Sequence, residues 1–305
     1  MNDKIKDTRL IVSLSGGKDS VACCLFLEEQ GLEYERVFMD TGWEDQSTYG
    51  YLDTLEAKLG KITRLKADVD ISSLNEEAQQ FILEEEKKLG FVSPFIRLII
   101  KHNSFPNQHR KYCTRSLKLT PFKDYINDIE DDITVITGLR REESKSRSTI
   151  EEFEWVDFYN CWQWRPLYRW TEADVIQIHQ RHDFMPNPLY LEGFSRVGCF
   201  PCIYARKKEI SLLTQERIDL ISRIERFLGV YTYEKNKNTK NKADLRLQIR
   251  HKETGFYLSP MFQRTKKTTP IEEVVEWSRT ARGGKQMPLF DLDPPSCMKW
   301  GLCNV

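Results

Sequence analysis

Two short segments carry the residues best suited to chemistry. Ser15, Gly16, Gly17, Lys18, Asp19 and Ser20 follow the apolar run RLIVSL and precede VACCLFLEEQGL. A glycine turn between a strand and a helix presents backbone N–H groups at a helix N-terminus, a setting that favours phosphate oxygens, and Lys18 adds positive charge. A Walker A loop needs four residues between its first glycine and its Gly-Lys pair, and this turn lacks them, so a kinase or GTPase reading fits poorly. The second segment is a lone Cys-x-x-Cys, Cys199 to Cys202. By spacing alone it suits a redox pair, half of a zinc site or part of an iron–sulfur cluster.

The elements that must position these residues read as an α/β alternation. Residues 9–14 form a short buried strand, 18 onward a helix, ERVFMDTG (35–42) a second strand ending in a polar turn, STYGYLDTLEAKLG a helix and ITRLKAD (62–68) a third strand. Residues 70–112 look helical and loop-like, DITVITG (132–138) restores the strand pattern, and WTEADVIQIHQRHD (170–183) reads as a helix with Thr171 as N-cap, stopped by Pro186 and Pro188. The fold expected is a doubly wound, mostly parallel sheet. From Cys199 the character changes, and KKEISLLTQERIDLISRIERFLG reads as one amphipathic helix. The expected division is therefore a nucleotide-binding domain over 1–205 and a mainly helical C-terminal region over 206–305 with a cysteine-containing tail.

Composition sets the outer limits. The chain has 305 residues, 40% hydrophobic and 30% charged, which excludes low-complexity disorder and fibrous classes. No run approaches the roughly 20 apolar residues of a membrane span, and the start MNDKIKDTRL has no apolar signal stretch, so no membrane association and a cytoplasmic location are expected. Lys and Arg (46) balance Asp and Glu (46), so contact with a nucleic acid needs a local patch. KNKNTKNK (235–242), ARKKE (205–209) and TARGGKQ (280–286) are such basic stretches, and Trp162, Trp164 and Trp170 beside Arg165 and Arg169 offer base stacking or core packing. Eight cysteines are too sparse for a secreted disulfide framework, which leaves metal binding or redox chemistry as the question. Cys23 and Cys24, in the helix after the glycine turn, read as core packing.

SGGKDS, VFMDTGWEDQSTY, ITGLRREESKSRS and PLYRWTEADVIQIHQRHDFMPNPLYLEGFSRVGCFPC stand in one order over residues 9–205. This series resembles the PP-loop ATP pyrophosphatases, and within them the phosphoadenylylsulfate reductase-like family. The resemblance implies that Ser15, Gly16, Gly17, Lys18, Asp19 and Ser20 wrap a nucleotide's phosphates, with Asp19 assisting Mg²⁺. It implies that Asp40, Thr41 and Gly42 border the nucleotide, as a strand's carboxyl end does in open α/β sheets. Gly138, Arg140, Arg141 and Arg147 are expected to supply cationic contacts, since guanidinium forks match phosphate geometry.

The same resemblance bears on the cysteines. Adenylylsulfate reductases combine a Cys-x-x-Cys with a tandem Cys-Cys around a 4Fe-4S cluster, and KYCTRSLKLTPF matches the tandem region with Tyr112 in place of one cysteine. Cys113, Cys199 and Cys202 are then three expected ligands, the fourth position being open or filled by Cys161, Cys297 or Cys303. Reductases of the family carry a Glu-Cys-Gly-[IL]-His segment in the tail, which CMKWGLCNV does not match. Cys303 is nonetheless a possible nucleophile or persulfide carrier.

What the resemblance implies first is ATP cleavage to AMP and pyrophosphate to activate an acceptor for sulfur transfer, as in DNA phosphorothioation. The implied cofactors are ATP, Mg²⁺ and a 4Fe-4S cluster, and the implied partners a cysteine desulfurase and a DNA or tRNA acceptor, reached through other subunits. Alternatives are a sulfonucleotide reductase producing sulfite, a tRNA thiolation enzyme, and a partner-dependent nucleotide-binding subunit.

Overall fold

The computed structural model describes residues 5–236, 249–250, 257–262, 269–280 and 300. In chain order the elements are β1 (Arg9–Leu14), α1 (Lys18–Glu29), β2 (Glu35–Asp40), α2 (Gln46–Leu59), β3 (Ile62–Lys66), α3 (Glu76–Leu89), α4 (Pro94–Lys101), α5 (Thr120–Asn127), β4 (Ile133–Ile136), β5 (Phe153–Val156), β6 (Cys161–Trp164), α6 (Glu172–Arg181), α7 (Pro188–Leu191), α8 (Lys207–Ser211), α9 (Gln215–Asn236), β7 (Ile249–Arg250), β8 (Tyr257–Leu258) and α10 (Ile271–Ser278). A π-helical turn, Arg115–Leu119, leads into α5.

Within the described residues the chain forms two compact units: residues up to 67 with 115–200 and Trp300, and residues 68–114 with those from 201 onward. The break after Phe200 lies close to the expected boundary at 205, but residues 68–114 group with the later part of the chain instead of the earlier one.

The first unit is an α/β layer structure around a six-stranded sheet of order β3-β2-β1-β4-β6-β5, parallel throughout except for the edge strand β5. From β1 the chain winds outward through β2 to β3, then returns to place β4 on the other side of β1. That reversal makes the carboxyl ends of β1 and β4 the switch point, where doubly wound sheets open a crevice for ligands. Alternation in β1 explains the layers: Leu10, Val12 and Leu14 pack in one buried cluster with Cys23 and Cys24 of α1 and with Val175 and Ile178 of α6. Ile11 packs on the opposite face with Phe122 and Ile126 of α5. Both cysteines of α1 are fully buried, and burial raises the Cys24 thiol to about 12, which suits packing and not nucleophilic chemistry.

Sequence patterning did not reveal β5 and β6. Phe153 stacks on Trp164 at a ring-centroid distance of 5.7 Å, and Arg165 is buried against Glu154 at 2.5 Å. Trp164 is thus a core residue, while Trp162 meets Trp155 edge to face.

The second unit is mainly helical. Glu86 of α3 receives both Arg97 nitrogens at 2.7 and 2.9 Å and caps Ser93 N–H, which fixes α4 on α3. Glu85 receives Arg223 of α9, and Phe81 stacks on Phe227 at 4.0 Å. The single helix expected over 207–229 is two, α8 and α9, because Thr214 starts a new helix by accepting Arg217 N–H through its hydroxyl and Ile218 N–H through its carbonyl. The basic residues 237–242 and 281–286 and the cysteines 297 and 303, including the expected nucleophile Cys303, lie outside the described residues.

Candidate functional site

The turn after β1 owes its shape to one glycine and three side chains. Gly16 has φ of +71°, a conformation glycine takes without steric cost, and its carbonyl accepts the amide of the buried Asn187 at 3.4 Å. Ser20 closes the turn, its hydroxyl accepting Ser15 N–H and donating to the Gly17 carbonyl. Tyr190 accepts Lys18 N–H at 3.1 Å. The N–H groups of Gly16, Asp19 and Ser20 have no hydrogen-bond partner among the described residues. They sit at the positive end of the 12-residue α1, so the turn is electrostatically prepared for an anion.

Lys18 is buried at this turn. Its ammonium lies 3.5 Å from Glu172, 3.8 Å from Asp19 and 4.9 Å from the centre of the Tyr190 ring, and donates to the Ser195 carbonyl at 3.5 Å. Asp19 is held from the other side by Arg140, Nε to Oδ1 at 2.5 Å. Burial works against the Arg140 charge, but Asp19, with Glu143 and Glu142 near it, raises the pKa above its ordinary value. Glu142 links the arrangement to α6: it accepts Arg140 at 2.9 Å and Glu172 N–H at 2.8 Å.

Gly138 permits the contact between β4 and α1. A Cβ there would lie 2.6 Å from the carbonyl carbon and oxygen of Asp19 and 2.9 Å from Ser20 N, so only glycine lets the segment after β4 approach the first turn of the helix.

Asp40, Thr41 and Gly42 form a braced turn at the end of β2. Asp40 accepts Gly42 N–H and Tyr49 OH, each at 2.8 Å, and pairs with Lys66 at 3.0 Å. The buried Glu44 accepts four groups: Thr41 N–H and OH, Trp43 N–H and Tyr49 OH. Cys199 is laid along this turn by its antiparallel bridge to Glu44, and its Sγ is 3.8 Å from the Thr41 hydroxyl.

Among the residues expected from sequence, the structure brings Ser15 to Ser20, Gly138 and Arg140 together around the first turn of α1. Arg141 and Arg147 are engaged elsewhere. Arg141 donates to the Ile150 carbonyl at 2.9 Å and lies 4.9 Å from the centre of the Tyr168 ring, and Arg147 pairs with Glu143.

The ligand set expected from the sequence is Cys113, Cys199 and Cys202. Cys199 belongs to the sheet unit, Cys113 and Cys202 to the other, and among the described residues no three His, Cys, Asp or Glu side chains are grouped so as to hold a metal ion. A 4Fe-4S cluster needs its thiolates at one place. No chemical step is routed through such a cluster.

Sequence reading missed Glu172, His179, Asn187, Tyr190 and Glu44. Glu172 and His179 are seven positions apart on α6, which puts them on one helical face with Val175 and Ile176, and that spacing was the available signal. His179 is buried, its Nε2 2.9 Å from the Lys18 carbonyl and its Nδ1 3.2 Å from the Phe184 carbonyl. Burial lowers its pKa, outweighing both carbonyls.

The phosphoadenosine phosphosulfate reductase domain family matches residues 9–205. The chain is 31% identical to an uncharacterized 37.8 kDa protein of Escherichia phage 186, over 92% of this chain and 91% of that one. It is 28% identical to adenosine 5'-phosphosulfate reductase of Salinibacter ruber, over 54% of this chain and 56% of that protein, so it spans only about half of that reductase. Among solved structures, phosphoadenylyl-sulfate reductase of Candida auris in a phosphate complex aligns with a TM-score of 0.46 at 17% identity, over 64% of this chain and 82% of that one.

Proposed function

The chain belongs to the phosphoadenosine phosphosulfate reductase domain family, and we propose that it binds ATP at the Ser15–Ser20 turn and cleaves it to AMP and pyrophosphate, activating an acceptor for sulfur transfer. The observation that carries this reading is the first turn of α1: Lys18 and Arg140 flank N–H groups that have no partner among the described residues and hold the Asp19 carboxylate between them. Such a turn holds the bridging and terminal oxygens of a polyphosphate and stabilises the charge that grows as pyrophosphate departs.

In the reaction, an acceptor oxygen, which in a DNA phosphodiester is already anionic, attacks the α-phosphorus, the bond to the β-phosphate oxygen breaks, and pyrophosphate leaves with that electron pair. Lys18 and Arg140 neutralise the leaving group, and the loop N–H groups fix the phosphorus in line with its attacker. The hard oxygens of Asp19 fit a Mg²⁺ brought by the nucleotide, which would supply further charge neutralisation. In the second half-reaction, the terminal sulfur of a persulfide supplied by a cysteine desulfurase attacks the adenylated centre and displaces AMP, and a second thiol then cleaves the S–S bond, leaving the sulfur on the acceptor and a disulfide behind. The acceptor in this reading is DNA, as in phosphorothioate modification, or alternatively tRNA.

A sulfonucleotide reductase is the second reading, favoured by the adenosine 5'-phosphosulfate reductases among the relatives. The same turn would then hold a phosphosulfate, with sulfite as product. One experiment separates the two: full-length protein is supplied with Mg²⁺ and either ATP or a sulfonucleotide plus thioredoxin, and pyrophosphate and sulfite are followed together. Pyrophosphate from ATP, abolished by Lys18→Ala, is the expected result. Sulfite without pyrophosphate would overturn the ATP reading and establish the reductase.

A further inference from the structure

The helical unit contains a cavity of about 450 Å³ that the chemistry of the glycine turn does not use. Its size falls in the roughly 300–1,000 Å³ range of small-molecule sites. Three aromatic side chains, Phe105, Phe262 and Trp277, contribute to the wall, and Lys207 reaches across with its ammonium 4.5 Å from the centre of the Trp277 ring. Asn107 and His109 also line it. None of the described residues that line it is acidic. In a chain whose 46 basic and 46 acidic residues balance, a lining with Lys207 and no carboxylate among its described residues favours an anion.

The surroundings continue the same pattern. Asn107 builds a tight turn, its side-chain oxygen accepting His109 N–H at 2.9 Å and Arg110 N–H at 3.0 Å, which projects the exposed run His109, Arg110 and Lys111. Lys111 lies 5.5 Å from the centre of the partly exposed Tyr204 ring, a second cation on an aromatic face. The floor is rigid, because Met261 N–H is held at 2.8 Å by the fully buried Glu225.

From this arrangement we infer that the cavity is a nucleotide pocket, taking an unpaired base against Trp277 and Phe105 with its phosphate toward Lys207 and His109. Flat π-faces accept any heterocycle by stacking, side-chain amides such as that of Asn107 read its polar edge, and cations take the backbone. The chemistry is that of a heterocycle joined to a phosphate, whose source is either a free mononucleotide or an extruded residue of a single strand. A nucleotide pocket here is independent of what the glycine turn binds.

The test uses the full chain carrying Lys18→Ala, so that the glycine turn contributes little, and follows the anisotropy of a fluorescent single-stranded hexanucleotide. The native hexamer is expected to bind at least about tenfold more tightly than an abasic hexamer with the same phosphates. Trp277→Leu and, as a milder change, Lys207→Gln should each remove most of that difference while the protein keeps its unfolding midpoint. Competition by AMP at comparable concentration assigns the pocket to free mononucleotides, and failure of AMP to compete assigns it to a strand. Equal binding of native and abasic hexamers, or a preference unchanged in both variants, would overturn the inference.

Discussion

The Asp19 carboxylate and the Arg140 guanidinium meet at 2.5 Å, tying the first turn of α1 to the segment that leaves β4. These elements are adjacent only because the sheet reverses its winding between β1 and β4. Arg140 is buried, so removing it leaves Asp19 with only the more distant Lys18 ammonium and Glu142 with only the Glu172 N–H. Arg140→Ala should therefore cost about 3 kcal/mol in urea unfolding, the scale of breaking a buried ion pair. It should also weaken ATP binding by at least about tenfold, measured by titration calorimetry. Arg147→Ala, at an exposed pair with Glu143, should change stability by less than about 1 kcal/mol.

Much of this site was legible in the sequence because its parts are local. Ser15 to Ser20 lie between an apolar strand and an apolar helix, and chain order alone places them at a strand's carboxyl end. Asp40, Thr41 and Gly42 were found the same way. Glu172, His179 and Tyr190 were not, since each reaches the turn through tertiary packing: His179 meets the carbonyl of a residue 161 positions away. The strands β5 and β6 escaped because CWQW has no period-two alternation, having both end residues buried and two half-buried between them. Cys199 lay in a recognisable motif, but only the bridge to Glu44 shows that it lines the Thr41 turn.

Gly138 and Gly50 offer a matched pair of substitutions. At Gly138 an added Cβ meets Asp19 backbone at 2.6 Å, and backbone cannot swing aside as a flexible side chain can. Gly138→Ala should destabilise by roughly 1–3 kcal/mol and displace the turn, with loss of ATP binding. At Gly50, inside α2, an added Cβ meets nothing within 4 Å. Gly50→Ala should stabilise by about 0.5–1 kcal/mol through helix propensity and leave ATP binding intact. Thermal unfolding and calorimetry on the two variants read both effects.

Glu44 is the keystone of the second turn, with Oε2 accepting Thr41 N–H, Trp43 N–H and Tyr49 OH, and Oε1 accepting Thr41 OH. In Glu44→Gln one oxygen becomes an NH₂ facing donors, and at least one buried N–H or O–H loses its acceptor. The expected cost is about 1–3 kcal/mol per orphaned group. Chemical denaturation measures it, and an unchanged midpoint would show that these contacts do not hold the turn.

Glu225 gives the helical unit a distinct pH response. Its carboxyl is fully buried, and desolvation raises its pKa to about 8, against the lowering effect of the bonds from Met261 and Ile271 N–H. An unfolded glutamate titrates near 4.5, the ordinary value from which this one departs. Between those values the folded chain holds a proton that the unfolded chain has released. The stabilisation is therefore fully present below about pH 4.5 and is lost as pH rises through about 8. Stability should decline across that window with a slope of at most about 1.4 kcal/mol per pH unit from this group. Glu225→Gln removes the titration and should flatten that component. It also places an amide NH₂ against Met261 or Ile271 N–H, so the variant should be less stable than the parent at pH 5. Urea unfolding at several pH values on both proteins tests this, and identical pH profiles would assign the slope to other groups.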